Sequence, residues 1–181
     1  MDRRVTRGER SKSALKSTFL KLILEKEPED ITVVELCQKA GVNRSTFYAH
    51  YNSMEQLIRE VLLESVAKIC VGMGPQWSFP LEDGGVSRAL IASYLDRFLS
   101  DPTLRRFCTC ANSGNYRTMI IRTQVELTLQ TSHDPIQYYT AYYHNAGSLN
   151  IILEWVNNGM AISRDDVIEI THEFSKVMYR S

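Results

Sequence analysis

An all-α fold is predicted by three features of the chain. Apolar residues recur at helical spacing through most of its length, pairs with helix-capping spacing precede several of the apolar stripes, and sustained alternation of strand type is absent. Around nine helices are expected. Ala14, Leu15, Thr18, Phe19, Leu22 and Ile23 form the first stripe, and Glu27-Pro28-Glu29-Asp30 is expected to stop it, because proline cannot continue a helix. Thr32 and Glu35 have the spacing of a capping box and open a second helix, whose buried face is Val33, Leu36 and Cys37 and whose end is Ala40-Gly41. Asn43 is placed to cap a short third helix from Arg44 to about His50. Ser53 and Gln56 repeat the capping-box pattern before a long stripe of Met54, Leu57, Ile58, Val61, Leu62 and Ile69.

Gly72, Gly74, Pro75, Pro80, Gly84 and Gly85 then break the pattern. Helices are expected beyond them at 86–100, 102–111, 115–131, 136–158 and 164–180. Tyr139, Tyr142, Tyr143, Ala146, Leu149, Leu153 and Val156 are read as one face of the fourth of these. Val167, Ile170, Thr171, Phe174, Val177 and Met178 are read the same way in the last, with Ser163 as its cap and Asp166 at the complementary position.

Composition narrows the function. The 181 residues are 44% hydrophobic and 23% charged, as in globular proteins. No apolar run reaches the ~18 residues of a membrane span, and the polar N-terminus is unlike a secretory signal, so no membrane role and a cytoplasmic location are expected. Nucleophile elbows, phosphate loops and metal-binding helix motifs are absent, so the chain is not expected to be an enzyme or to need a cofactor. The four cysteines form no paired CxxC motif. Cys37 and Cys70 lie in apolar patterns, and Cys108-Thr109-Cys110 is the one close pair, expected to be inert thiols. His133 and His144 lack a third ligand at convincing spacing, so no metal is expected.

The formal net charge is zero, but it is unevenly spread. Residues 1–21 hold Arg3, Arg4, Arg7, Arg10, Lys12, Lys16 and Lys21 against Asp2 and Glu9. Such a basic arm on a neutral body either meets a polyanion or remains a solvated tail.

Thr32–Tyr51, TVVELCQKAGVNRSTFYAHY, has the form of a helix-turn-helix. Ala40 is small where the two helices cross, Gly41 can take a positive φ, and Val42 is placed to plug the core between them. The second helix would enter a DNA major groove. Arg44, Ser45 and Thr46 open it and are candidate base readers. Tyr48 and His50 are candidate phosphate contacts, and Asn43, the expected cap, is a candidate DNA-binding residue. Thr32 either contacts the DNA backbone or serves only as a cap. Arg3, Arg4 and Arg7 are candidates for phosphate or minor-groove contact. Phe47, Ala49 and Tyr51 are assigned to the inner face or its boundary.

With Phe47–Leu57, FYAHYNSMEQL, this segment resembles the N-terminal domain of the TetR family of bacterial regulators over about residues 9–60. The resemblance implies a helix-turn-helix DNA-binding domain at 1–60 and a helical regulatory and dimerisation domain at 61–181. It further implies a homodimer on palindromic double-stranded DNA, controlled by a small-molecule effector or a partner protein. The family commonly places a lysine near the start of helix four, where this chain has Met54, which puts one phosphate contact in doubt. The alternative is a TetR-like coactivator working mainly through protein contacts.

Tyr138–Met160, YYTAYYHNAGSLNIILEWVNNGM, with Ser163–Val167, is similar to the C-terminal region of a TetR subgroup that includes dihydroxyacetone kinase operon activators. That similarity implies a four-helix dimer interface from the last two helices. Tyr143, Gly147, Leu153, Ile170, Phe174 and Val177 are its candidate residues. Tyr138, Tyr139, Tyr142, Tyr143, His144, Trp77 and Trp155 either line an effector pocket or belong to core and interface. No ligand residue is assigned.

Overall fold

The computed structural model describes residues 6–70, 81–129 and 134–179. Arg3, Arg4, Trp77 and His133 lie outside these, as do the side chains of Val177 and Met178. Among the described residues there are nine α-helices: α1 (Arg7–Leu22), α2 (Val33–Ala40), α3 (Arg44–His50), α4 (Met54–Cys70), α5 (Arg88–Ser100), α6 (Pro102–Thr109), α7 (Ser113–Leu129), α8 (Pro135–Asn157) and α9 (Arg164–Tyr179). A 3-10 turn at Pro28–Asp30 lies between α1 and α2, and a two-residue antiparallel hairpin, β1 (Leu81–Glu82) and β2 (Gly85–Val86), precedes α5. The fold is thus all-α, as expected, with one small hairpin that the glycine-rich sequence did not suggest.

The helix ends follow from their caps. Thr6 and Glu9 form a complete capping box at α1: the threonine hydroxyl accepts from the Glu9 amide at 3.2 Å, and the Glu9 carboxylate accepts from the Thr6 amide at 2.6 Å. The Thr6 amide first, and then its hydroxyl, hold the Glu9 carboxyl below its ordinary pKa. Helix α1 ends at Leu22, earlier than Pro28 requires, and the proline instead opens the 3-10 turn. Ser163 and Asp166 also form the box expected for α9, at 3.1 Å in each direction.

Contacts divide the chain into two compact units. The first comprises the described part of 1–65 together with 102–113; the second comprises the described part of 66–101 and 114–181. The first therefore includes α6, which the chain enters after Asp101 and leaves before Gly114. Leu15, Phe19, Leu22, Ile23, Leu36, Cys37, Phe47, Tyr51, Leu57, Val61 and Leu62 are buried in this unit, as are Leu104, Phe107 and Cys108 of α6. Arg106 ties α6 to the end of α1, donating to the Ile23 carbonyl at 2.8 Å and to Glu27 at 2.7 Å. The other Glu27 oxygen accepts from the Ala111 amide at 3.0 Å. The Ala111 amide and the Arg106 guanidinium hold the Glu27 carboxyl below its usual range. Cys108 and Cys110 are buried and form no disulfide. Among the described residues no group of three or more His, Cys, Asp or Glu could hold a metal.

In the second unit α9 packs against α5, α8 and β2. Its inward row is Val167, Ile168, Thr171, His172 and Ser175. The hairpin is tied to this row. The Val86 amide donates to Ser175 Oγ at 2.7 Å, and His172 Nδ1 is 2.7 Å from the Val86 carbonyl. That carbonyl can only accept, so Nδ1 carries the proton. Ile170 and Phe174, expected on the same face as Val167 and Thr171, point outward instead. Helix α8 divides similarly: Ala141, Asn145, Leu149, Ile152, Leu153 and Trp155 are buried, whereas Ile136, Tyr139 and Tyr143 are exposed. Among the described residues no helix is long and apolar enough to cross a membrane.

Two outcomes are expected from this packing. A methyl group at position 85 would lie 2.8 Å from both the His172 carbonyl oxygen and Ser175 Oγ. Gly85→Ala should therefore destabilise the protein by about 1–3 kcal/mol, read as a lower urea midpoint; an unchanged midpoint would contradict the packing. Burial also pushes the His144 imidazole down from 6.5 to about 4. Between those values the unfolded chain binds the proton and the folded one does not, so the stabilisation is complete above pH 6.5 and is lost as pH falls through 4. His144→Leu should flatten the pH dependence of unfolding free energy across that window, and an unaltered slope would contradict the assignment.

Candidate nucleic-acid interface

The recognition segment is built from short-range interactions. Thr32 stands at the N-cap of α2, and its hydroxyl accepts from the Glu35 amide at 3.2 Å. The expected box is half formed, because the Glu35 carboxylate pairs with Lys26 and, at 3.5 Å, with Lys39. Those lysines, Lys26 first, hold its pKa down. Gly41 ends α2 at φ 65°, the left-handed conformation that glycine takes without steric cost. The Val42 amide reaches back to the Cys37 carbonyl at 3.0 Å, as in a Schellman ending. Val42 is only half-buried.

Asn43 occupies the N-cap of α3 in extended conformation, and its carbonyl accepts from the Thr46 and Phe47 amides at 2.9 and 3.0 Å. Its side chain makes no capping bond, contrary to expectation. The carboxamide is exposed at the start of the helix, beside Arg44 and Ser45.

The inner side of α3 is defined by two aromatic residues. Phe47 is 0% exposed and Tyr51 1%, with ring centroids 5.6 Å apart. Burial pushes the Tyr51 phenol up to about 12, with Glu60 adding to the shift, so it stays protonated. Being buried, its hydroxyl cannot reach a phosphate. The outer side presents Arg44, Ser45, Tyr48 and Ala49, all exposed, flanked by half-buried Thr46 and His50. Ala49, expected on the inner face or its boundary, lies on the outer side: with Phe47 and Tyr51 pointing inward, the helical repeat turns position 49 to solvent. Tyr48 stands edge-on to Phe47 at 5.3 Å and 90°, which braces its ring.

The basic segment also divides. Lys12 and Lys16 of α1 both pair with Glu60 of α4, at 2.8 and 2.9 Å, and Lys16 also pairs with Glu64 at 2.5 Å. Lys12 lies 5.5 Å from the Tyr51 ring centroid, a cation–π contact. Burial opposes the charge on Lys16, yet Glu64 and Glu60 together raise its pKa. Two cations of the arm thus serve packing of α1 on α4. Arg7 differs: it is exposed in the first turn of α1. The next residue, Gly8, lies close to His50, whose Cε1 would be 3.5 Å from a Cβ at position 8. The start of α1 and the end of α3 thereby meet, a juxtaposition that linear spacing could not show.

At α4, Ser53 Oγ accepts from the Gln56 amide at 3.3 Å, and the Gln56 side chain accepts from the Asn52 amide at 2.7 Å. The box is therefore displaced by one residue from the expected Ser53 reciprocity.

Comparison with known proteins agrees with this geometry. Residues 19–61 match the family described as bacterial regulatory proteins, tetR family. An uncharacterized HTH-type transcriptional regulator of Bacillus subtilis strain 168, YxbF, is 31% identical over 100 residues, which are 52% of this chain. The match spans about a quarter of YxbF, 25% of its length. Among solved structures, the fatty acid degradation regulator FadR of Bacillus halodurans superposes with a TM-score of 0.61 at 12% identity, over 93% of this chain and 94% of that one. A TetR transcriptional regulator from Rhodococcus sp. RHA1 gives 0.58 at 16% identity, over 94% and 96%.

At these identities the structural likeness establishes the fold alone. If the two-sided packing of α3 is right, Phe47→Ala should cost about 3–5 kcal/mol of stability, whereas Ser45→Ala on the outer side should change it by less than about 0.5 kcal/mol. Denaturant unfolding of both variants checks this, and equal losses would contradict it. Residues 19–61, which hold α2 and α3, thus match the family of bacterial regulatory proteins described as tetR, within a chain that is all-α among the described residues apart from one small hairpin.

Proposed function

We propose that the protein is a dimeric, sequence-specific DNA-binding transcriptional regulator, controlled through its C-terminal part by a small-molecule effector or a partner protein. The observation that carries this reading is the outer side of α3, where Arg44, Ser45 and Tyr48 stand exposed on a helix whose other side is fixed in the core. Asn43, Thr46 and His50 border that surface, Thr32 opens α2 nearby in sequence, and Arg7 is exposed; Arg3 and Arg4 join the proposal by their place in the sequence alone. The domain boundary near residue 60 belongs to this proposal.

Homodimerisation is supported by apolar surface that one chain leaves uncovered. Tyr143 is 71% exposed and Phe174 65%, with Ile136, Tyr139 and Ile170 also exposed and Gly147 open to close approach. Leu153 is removed from this set: it is 3% exposed and packs within its own unit. A two-fold pair of recognition helices would suit a palindromic operator. At the start of α8, Tyr139 and Tyr143 share an open depression with Ile136 and Thr140, whereas Trp155, near the other end, is buried and donates to the Ile162 carbonyl at 2.8 Å. Membership in the subgroup with the dihydroxyacetone kinase operon activators rests on the pattern of Gly147, Trp155 and the Asn158-Gly159 turn.

A gel shift with fragments of the source genome tests DNA binding: retention of particular fragments over competitor DNA is expected, and retention only alongside a second protein would favour a coactivator. Arg44→Ala should cost about 1–3 kcal/mol on the selected fragment and relax preference at one base pair. Replacing Arg3, Arg4 and Arg7 should weaken binding to all sequences and reduce its salt slope, because fewer counterions are released. An Arg44 variant that loses affinity equally for random DNA would contradict base reading. Tyr143→Glu combined with Phe174→Asp should give a monomer by light scattering; a dimer that survives both would contradict the interface.

A further inference from the structure

We infer that Ala49 is a specificity determinant that reads thymine through its 5-methyl group; this rests on the DNA-binding reading of α3. Ala49 lies one turn after Ser45 on the exposed side of α3 and beside the exposed Tyr48 ring. Its side chain is a single methyl group, with neither donor nor acceptor. It can therefore form no hydrogen bond to a phosphate or a base edge. What it offers a major groove is a small apolar surface, and the apolar group displayed there by a base pair is the thymine methyl.

The surroundings sharpen the argument. Phe47 and Tyr51, buried on the opposite side, fix the rotation of α3 and hence the direction of position 49. Tyr48, the preceding residue, stands edge-on to Phe47 and is itself exposed on the outer side. Arg44 and Ser45, near the helix start, supply polar groups for neighbouring bases.

The test begins with duplexes selected by the full-length protein from a random pool. Each thymine of the selected site is replaced in turn by uracil, which removes the methyl and leaves the base-pairing edge unchanged. Wild-type protein should lose affinity about three- to five-fold at one thymine per half-site, the size expected for one buried methyl. Ala49→Gly should bind the thymine and uracil versions of that position equally, while keeping its response to substitutions elsewhere in the site. Ala49→Ser, which perturbs the helix less than glycine, should also lose the methyl response, and thermal unfolding shows that both variants are folded. A wild-type protein indifferent to uracil at every position overturns the assignment. So does a methyl response of the same size in wild type and both variants. Selection that enriches no sequence overturns the DNA-binding reading itself, and the role of Ala49 with it.

Discussion

The burial of Phe47 and Tyr51 is the interaction on which the rest of this site depends. Helix α3 has seven residues, too few to be stable in water on its own. It persists because two large aromatic side chains on one side are removed from solvent with Leu15, Phe19 and Leu36. The same burial fixes the rotation of the helix. With positions 47 and 51 pointing inward, 44, 45, 48 and 49 point outward. The surface available to a DNA groove is thus a geometric consequence of core packing.

Two further sets of contacts hold this arrangement. Lys12 and Lys16 reach Glu60 and Glu64, pinning α1 to α4 around the Tyr51 ring. Arg106 and Glu27 tie α6 to the end of α1 and to the Ala111 amide. Exposed ion pairs are individually worth little, but these are partly shielded, and the Arg106 set joins a backbone carbonyl, a carboxylate and a backbone amide. Helix α6 is joined in sequence to α5 and α7 of the second unit while packing in the first.

Most of the fold was legible in the sequence because caps and apolar stripes are local signals. The starts of α2, α4 and α9 follow from the caps Thr32, Ser53 and Ser163, and α3 begins where Asn43 marks it although that side chain makes no capping bond. What was not legible depends on tertiary contacts. The Glu35 carboxylate left its capping box for Lys26 and Lys39, partners that cap spacing does not consider. The hairpin at 81–86 exists through bonds to His172 and Ser175, far away in the chain. The basic segment was read as one arm, but Lys12 and Lys16 are spent on α4. Ala49, Ile170, Phe174 and Leu153 changed sides because a small shift in helical phase exchanges inner for outer positions. The recognition segment itself was the most readable part, since its turn, aromatic spacing and polar start lie within twenty consecutive residues, Thr32–Tyr51.

The central claim is that the outward side of α3, held in place by Phe47 and Tyr51, is the surface that meets DNA. Titrating isotope-labelled protein with a selected duplex, and following backbone amide resonances, tests it most directly. The account predicts that the largest shifts fall on Arg44, Ser45, Tyr48 and Ala49, with smaller ones at Arg7, Thr32 and His50. Shifts confined to α8 and α9, with α3 unmoved at saturating duplex, would contradict it.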